Sequence, residues 1–173
     1  MKSKLIVLAF FISGAMISCS SLNEFGQRRN KFSIEKIKPN TNEEVYALID
    51  TAQLYQLVSI ESSFGPVTIE KVKNNPSYLK FYSNGRVGEF ENIDFNNVET
   101  LNPKRAKSHL YRLKKGKLIL QSYFKNPQCG ECFVKQTIVK NTDSQIFILS
   151  ENYKKIYVKV EIPKAYLKYQ PDW

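Results

Sequence analysis

From Leu54 onward, turn-forming residues interrupt the chain about every ten positions, and between them lie short runs rich in β-branched and aromatic side chains. Such punctuation leaves no room for long helices and favours consecutive antiparallel strands. The spacing predicts strands over Leu54 to Glu61, Val67 to Val72, Tyr78 to Tyr82, Arg86 to Phe90, His109 to Leu113, Lys117 to Phe124, Cys132 to Val139, Gln145 to Leu149 and Ile156 to Ile162. Turns are expected at Lys114-Lys115-Gly116, Asn141-Thr142-Asp143 and Asn152-Tyr153-Lys154. Ser83-Asn84-Gly85 is the strongest hairpin signal, because Asn-Gly suits the two central positions of a type I′ turn, both of which need positive φ.

The fold class expected is mainly β: an antiparallel meander of about eight or nine strands closing into a barrel. Closure removes the exposed sheet edges, and hairpins supply neighbour pairing without long crossovers. A two-sheet sandwich satisfies the same pattern and is the alternative. In the last strand Ile156, Val158, Val160 and Ile162 alternate with Tyr157, Lys159 and Glu161, so the first set is read as dry and the second as wet. Ahead of the strands, Thr41-Asn42-Glu43-Glu44 has capping-box spacing, and a short helix is expected through Val45, Tyr46, Leu48 and Ile49.

The N-terminus reads as an address. Lys2 and Lys4 precede an apolar run from Leu5 to Ile17, the layout of a secretory signal. The run is shorter than the roughly 20 apolar residues a spanning helix needs. Met16-Ile17-Ser18-Cys19 resembles the lipobox of Bacteroidota lipoproteins. That resemblance implies cleavage before Cys19, lipid (palmitate included) on its sulfur, and a place in the cell envelope, on the outer membrane facing the periplasm. Residues 1–18 are then the signal peptide, 19–40 a lipidated flexible tether, and 41–173 a single β-barrel domain. The mature chain loses two lysines and no acid, so its formal charge falls from +10 to +8. Its basic residues are spread singly along the predicted strands. Export and that scatter argue against nucleic acid as a partner; the charge is read first as a solvated, alternating outer face, with attraction to anionic head groups or acidic polysaccharide as the alternative.

Leu79-Lys80-Phe81-Tyr82-Ser83-Asn84-Gly85-Arg86-Val87 and Tyr111-Arg112-Leu113-Lys114-Lys115-Gly116-Lys117-Leu118 are strand, glycine turn, strand units. With the lipobox they resemble the small lipocalin-like lipoproteins of Bacteroidota. The resemblance spans about residues 50 to 162 and implies a binding module for a small apolar or amphipathic ligand. The alternative is an envelope interaction or structural lipoprotein, including an immunity or accessory role, whose barrel is filled and whose partner is an envelope protein.

Candidate chemistry is sparse, and no enzyme is expected. With Cys19 committed to lipid, Cys129 and Cys132 remain as a pair. A reactive Cys-x-x-Cys needs a helix N-terminus to stabilise its thiolate, yet Phe133 to Val139 reads as a strand, so a structural disulfide at a hairpin tip is preferred. Zinc would need two more ligands and there is one histidine, so neither metal nor cofactor is assigned. That histidine, His109, opens a predicted strand and is read as a surface or hydrogen-bonded strand residue. Glu89 with Glu91, and Asp94 with Glu99, are carboxylate pairs without a fixed geometry. Ten tyrosines and eleven phenylalanines are read chiefly as core. A rim of Tyr111, Tyr123, Tyr153, Tyr157, Tyr166 and Tyr169 is the other reading.

Overall fold

The computed structural model describes residues 20–30, 43–63, 65, 72, 74, 76–128 and 130–173. A small hairpin, β1 (Ser20–Leu22) with β2 (Arg28–Asn30), comes first. The body consists of β3 (Leu54–Ser62), β4 (Ser77–Phe81), β5 (Arg86–Glu91), β6 (Lys107–Lys114), β7 (Lys117–Asn126), β8 (Gly130–Lys140), β9 (Gln145–Leu149) and β10 (Tyr153–Val160). Each pairs antiparallel with the next, and β10 closes onto β3 from Val160 opposite Leu54 to Tyr153 opposite Ser62. The expected meander barrel is therefore the fold, and the sandwich is set aside. β3 pairs directly with β4, so no ninth strand enters the barrel. Val72, the described end of the strand expected over Val67 to Val72, is helical and buried in the barrel core; residues 67–71 lie outside the described residues.

Two loops show how local chemistry sets the register. At Ser83-Asn84-Gly85 only Gly85 has positive φ, at 82°. The Tyr82 amide donates to the Arg86 carbonyl and the Gly85 amide to the Tyr82 carbonyl. This is a three-residue loop whose last residue is left-handed, the bulged type, and not the I′ turn expected there. The I′ signature appears instead between β6 and β7, where Lys115 and Gly116 both have positive φ (51° and 71°) and Lys114 pairs with Lys117.

The short helix is a 3-10 turn over Glu43–Ala47. Its Val45, with Ile49 beyond, plugs one end of the barrel in the cluster formed by Tyr55, Leu79, Phe81, Tyr111, Leu118 and Ile146. The proposed capping residues Thr41 and Asn42 lie outside the described residues. A second apolar cluster sits outside the barrel wall, where Leu101, Ala106 and the C-terminal segment lie over Leu54, Tyr78, Tyr82 and Phe90. Every residue of β4 is buried as a consequence: Leu79 and Phe81 look inward, Tyr78 and Lys80 outward beneath the cover.

This double burial corrects the reading of β10. Tyr157 is fully buried among the interior residues, while Ile156 and Val158 are half-buried on the outer side. Val160 and Ile162 pack against the outer cluster. A bulge lies between Ile156 and Tyr157 against β3. The side rich in tyrosine and lysine is the one that faces the barrel, because Tyr157 stands opposite Leu57 and Ile146, both interior.

Candidate functional site

Alternate residues of a barrel strand point inside. The register that sends Val87 inward also sends Glu89, and the one that sends Tyr111 inward also sends His109. His109 Nε2 lies 3.1 Å from Glu89 Oε2, and the Ser77 hydroxyl donates to Glu89 Oε1 at 3.0 Å. A second chain runs from the Ser122 hydroxyl to Gln136 Oε1 (3.2 Å) and from Gln136 Nε2 to the Tyr153 hydroxyl (2.8 Å). Lys155 reaches the same layer from β10. Together these form a polar floor beneath the apolar centre of the barrel.

Burial pushes the Glu89 carboxyl up, but the His109 hydrogen bond and the attraction of His109, Lys155 and Lys107 outweigh it and hold it at about 2. Tyr157, desolvated and near Glu89, is pushed well above the usual phenol range. The carboxylate is thus the charged member on which the neighbouring donors converge. His109 Nδ1 is buried without a hydrogen-bond partner among the described residues.

The layer has the elements of proton transfer, and the cavity inside it is small. Its cavity, bounded by Glu89, His109, Ser122, Gln136, Lys155 and Tyr157, measures about 20 Å³. That is room for about one water molecule. The nearby hydroxyls of Ser77 and Ser122 donate to Glu89 and Gln136, not to the imidazole.

Larger hollows open on the outside. One of about 270 Å³ lies between the β1–β2 hairpin and the barrel, lined by Phe25, Gln27, Glu89, Glu91, Arg105 and Lys107. Another of about 220 Å³ lies at the plugged end beside Tyr46, Asp50, Lys140 and Lys159. Lys80, 6% exposed, sits under the C-terminal cover with its ammonium on the carbonyls of Thr51 and Phe81. Desolvation lowers it to about 8, against the attraction of Asp50.

The β1–β2 hairpin belongs to this outer architecture. Its Arg29, 6% exposed, donates to Asp172 (3.1 Å), to the carbonyls of Ala106 (3.1 Å) and Pro103 (3.0 Å), and lies 4.8 Å above the Trp173 ring. Trp173 in turn donates from its indole nitrogen to the His109 carbonyl at 3.3 Å, and its own carbonyl accepts from Arg86. Within the stretch read as a tether, residues 20–30 are therefore packed on the body. Arg86 is half-buried and desolvated enough to lower it from its ordinary value.

Of the residues singled out in the sequence, Cys19 and Cys129 lie outside the described residues. Cys132 stands in β8 opposite Phe124 of β7, close to the tip of that hairpin. His109 is the hydrogen-bonded strand residue expected, though in the interior. Glu89 and Glu91 part company: the first meets His109 and the second pairs with Lys107 at the surface. Tyr111 and Tyr157 are interior, as the core reading has it, whereas Tyr166 and Tyr169 are half-buried against the outer cluster with their hydroxyls on the Phe95 carbonyl and the Glu99 carboxylate. Ser77, Gln136 and Lys155 were not marked by any motif, and Tyr153 only as a rim or turn residue; the signal available was their shared parity with apolar interior residues on the same strands. Comparison with family models, curated proteins and solved structures returned no match to this chain.

Proposed function

We propose that this protein is a lipid-anchored envelope lipoprotein that works through its outer surface, as an interaction or structural component, with the barrel as a filled scaffold. The observation that supports an exterior role is the small size, about 20 Å³, of the cavity in the polar layer of the barrel. A barrel of eight strands either fills itself with side chains or holds one small ligand, and here Tyr55, Phe81, Tyr111 and Tyr157 occupy the centre. The lipocalin-like reading, a small apolar ligand inside, asks for several hundred Å³. Envelope location rests on the signal-like run and the lipobox resemblance ending at Cys19. Native mass spectrometry of the protein released from its own membrane separates the two: a bound envelope protein is the expected result, and a stoichiometric lipid-sized ligand would restore the interior reading. Cys19→Ala should release the chain from the membrane fraction, and continued retention without acylation would end the anchor assignment.

The same export reading carries a proposal for Cys129 and Cys132, that they form a disulfide in the exported protein. Their loop is so short that the entropic gain falls below the roughly 3 kcal/mol of a 15-residue loop. Losing the pair should loosen the β7–β8 tip without unfolding the barrel. Alkylation of both thiols in freshly exported, unreduced protein would reject the bridge.

A further inference from the structure

We propose that the hollow between the C-terminal cover and the Thr51–Ala52 turn is a binding site for a small organic carboxylate, with Lys80 at its base as the cation that receives it. The hollow lies outside the barrel wall, and the inference is independent of the anchor assignment. It measures about 200 Å³, the liquid volume of about six or seven water molecules. Ala52, Ser83 and Gln170 form its exposed rim and Leu167 and Tyr169 its half-buried wall, while Lys80 and Tyr82 are buried.

The state of Lys80 is what selects an anion. Lys80 belongs to β4 and points away from the barrel interior, and at 6% exposure it is nearly removed from water. Among the described residues no carboxylate forms an ion pair with it. Asp50 attracts it without pairing, and the Asp50 carboxylate is already engaged by Lys159 at 3.3 Å and by the Ala52 amide at 2.8 Å. Glu99 takes the Tyr169 hydroxyl, and Asp172 takes Arg29. None of these acids lines the hollow, where Lys80 is the one charged side chain. A buried charge without a counter-charge is costly, and an incoming anion supplies the missing partner.

The geometry leaves room for that partner. The ammonium donates to the carbonyls of Thr51 and Phe81, so one of its three N–H groups is unspent. Thr51 lines the hollow, and so does Tyr82, whose ring centroid lies 5.7 Å from the ammonium, which puts the charge at the base. A single cation without an arginine fork suits a carboxylate better than a phosphate, which draws several donors. The rings of Tyr82 and Tyr169, with Leu167 and Ala52, then receive an apolar body. The site thus fits a monoanion carrying a short chain or a single ring.

The test follows the full chain by nuclear magnetic resonance while propionate, hexanoate, benzoate and the neutral benzamide are added in turn. At least one carboxylate should shift the amide signals of Ala52, Ser83 and Leu167 saturably, and benzamide should leave them in place. The Lys80 amine titrates amid Asp50, Tyr82, Tyr166 and Tyr169, and its midpoint, about 8 in the free protein, should rise when the site is filled. Lys80→Met should weaken carboxylate binding several-fold or more. Should that variant fail to fold, Ala52→Trp, a change at the exposed rim, should block the hollow with the dichroism of the barrel unchanged. No saturable shift from any of the three acids, equal binding of benzamide, or an unmoved Lys80 midpoint would each overturn the site. Undiminished binding in folded Lys80→Met or in Ala52→Trp would do the same.

Discussion

Two opposed effects act on the Glu89 carboxyl: burial disfavours its charge, and His109, Lys155 and Lys107 favour it, with the net result a value of about 2. Because the folded value lies below the ordinary one near 4.5, the stabilisation is complete above about pH 4.5 and is lost as pH falls toward about 2. Glu89→Gln should remove that part of the acid sensitivity. The wild type should lose about 1–3 kcal/mol relative to the variant over this window, read as converging urea midpoints on acidification. A constant gap between the two down to pH 2 would show that the carboxylate is not held by its neighbours. None of this cluster was legible as a motif. Glu89, His109 and Lys155 sit on three different strands, and what brings them together is cross-strand register, which a linear sequence does not record.

Among the elements, the hairpins were easily read and their turn types were not. Gly85→Val should destabilise the domain by about 1 kcal/mol or more, since a Cβ is strained at a φ of 82°. Arg86→Ala should also cost about 1 kcal/mol, because Arg86 donates to the carbonyls of Asn84 and Trp173. Denaturant midpoints with unchanged slopes would bear this out, and a neutral Arg86→Ala would mean that the link to Trp173 adds nothing. In the β6–β7 turn, Lys115 accepts a left-handed conformation that asparagine tolerates better. Lys115→Asn should therefore raise stability by about 0.5–1 kcal/mol by the same measurement. Strand limits were visible from the apolar runs, with Gln145–Leu149 matching at both ends. The facing of β10 was not, because a wall buried on both sides has no single dry face: Val160 and Ile162 serve the outer cluster and Tyr157 the inner one.

For the molecule as a whole, the decisive feature is that the two clusters share β4 and that Arg86 of β5 ties the barrel to Trp173 of the cover. The outer cover is too closely joined to the barrel to melt by itself. Trp173, the sole tryptophan, reports on the cover, and far-ultraviolet dichroism reports on the barrel. Their denaturation curves should superimpose, as expected of a two-state unit. A tryptophan transition at clearly lower denaturant would show the cover to be an independent flap. The barrel itself was foreseeable from the spacing of turns, whereas the cover was not. Its segments lack strand or helix periodicity, and they become recognisable only by what they shield, such as Gly88, where an added Cβ would come within 3.0 Å of the Ala106 Cβ.

The Arg29–Asp172 contact joins residues 143 positions apart, and barrel closure joins Leu54–Ser62 to Tyr153–Val160. Neither can form until nearly the whole chain has been made, since each joins an early segment to one near residue 173. Until then the strands form an open, edge-bearing ribbon, and topology of such long range folds slowly. The interval before closure is therefore the one in which this chain is most open to proteolysis and to edge-to-edge association.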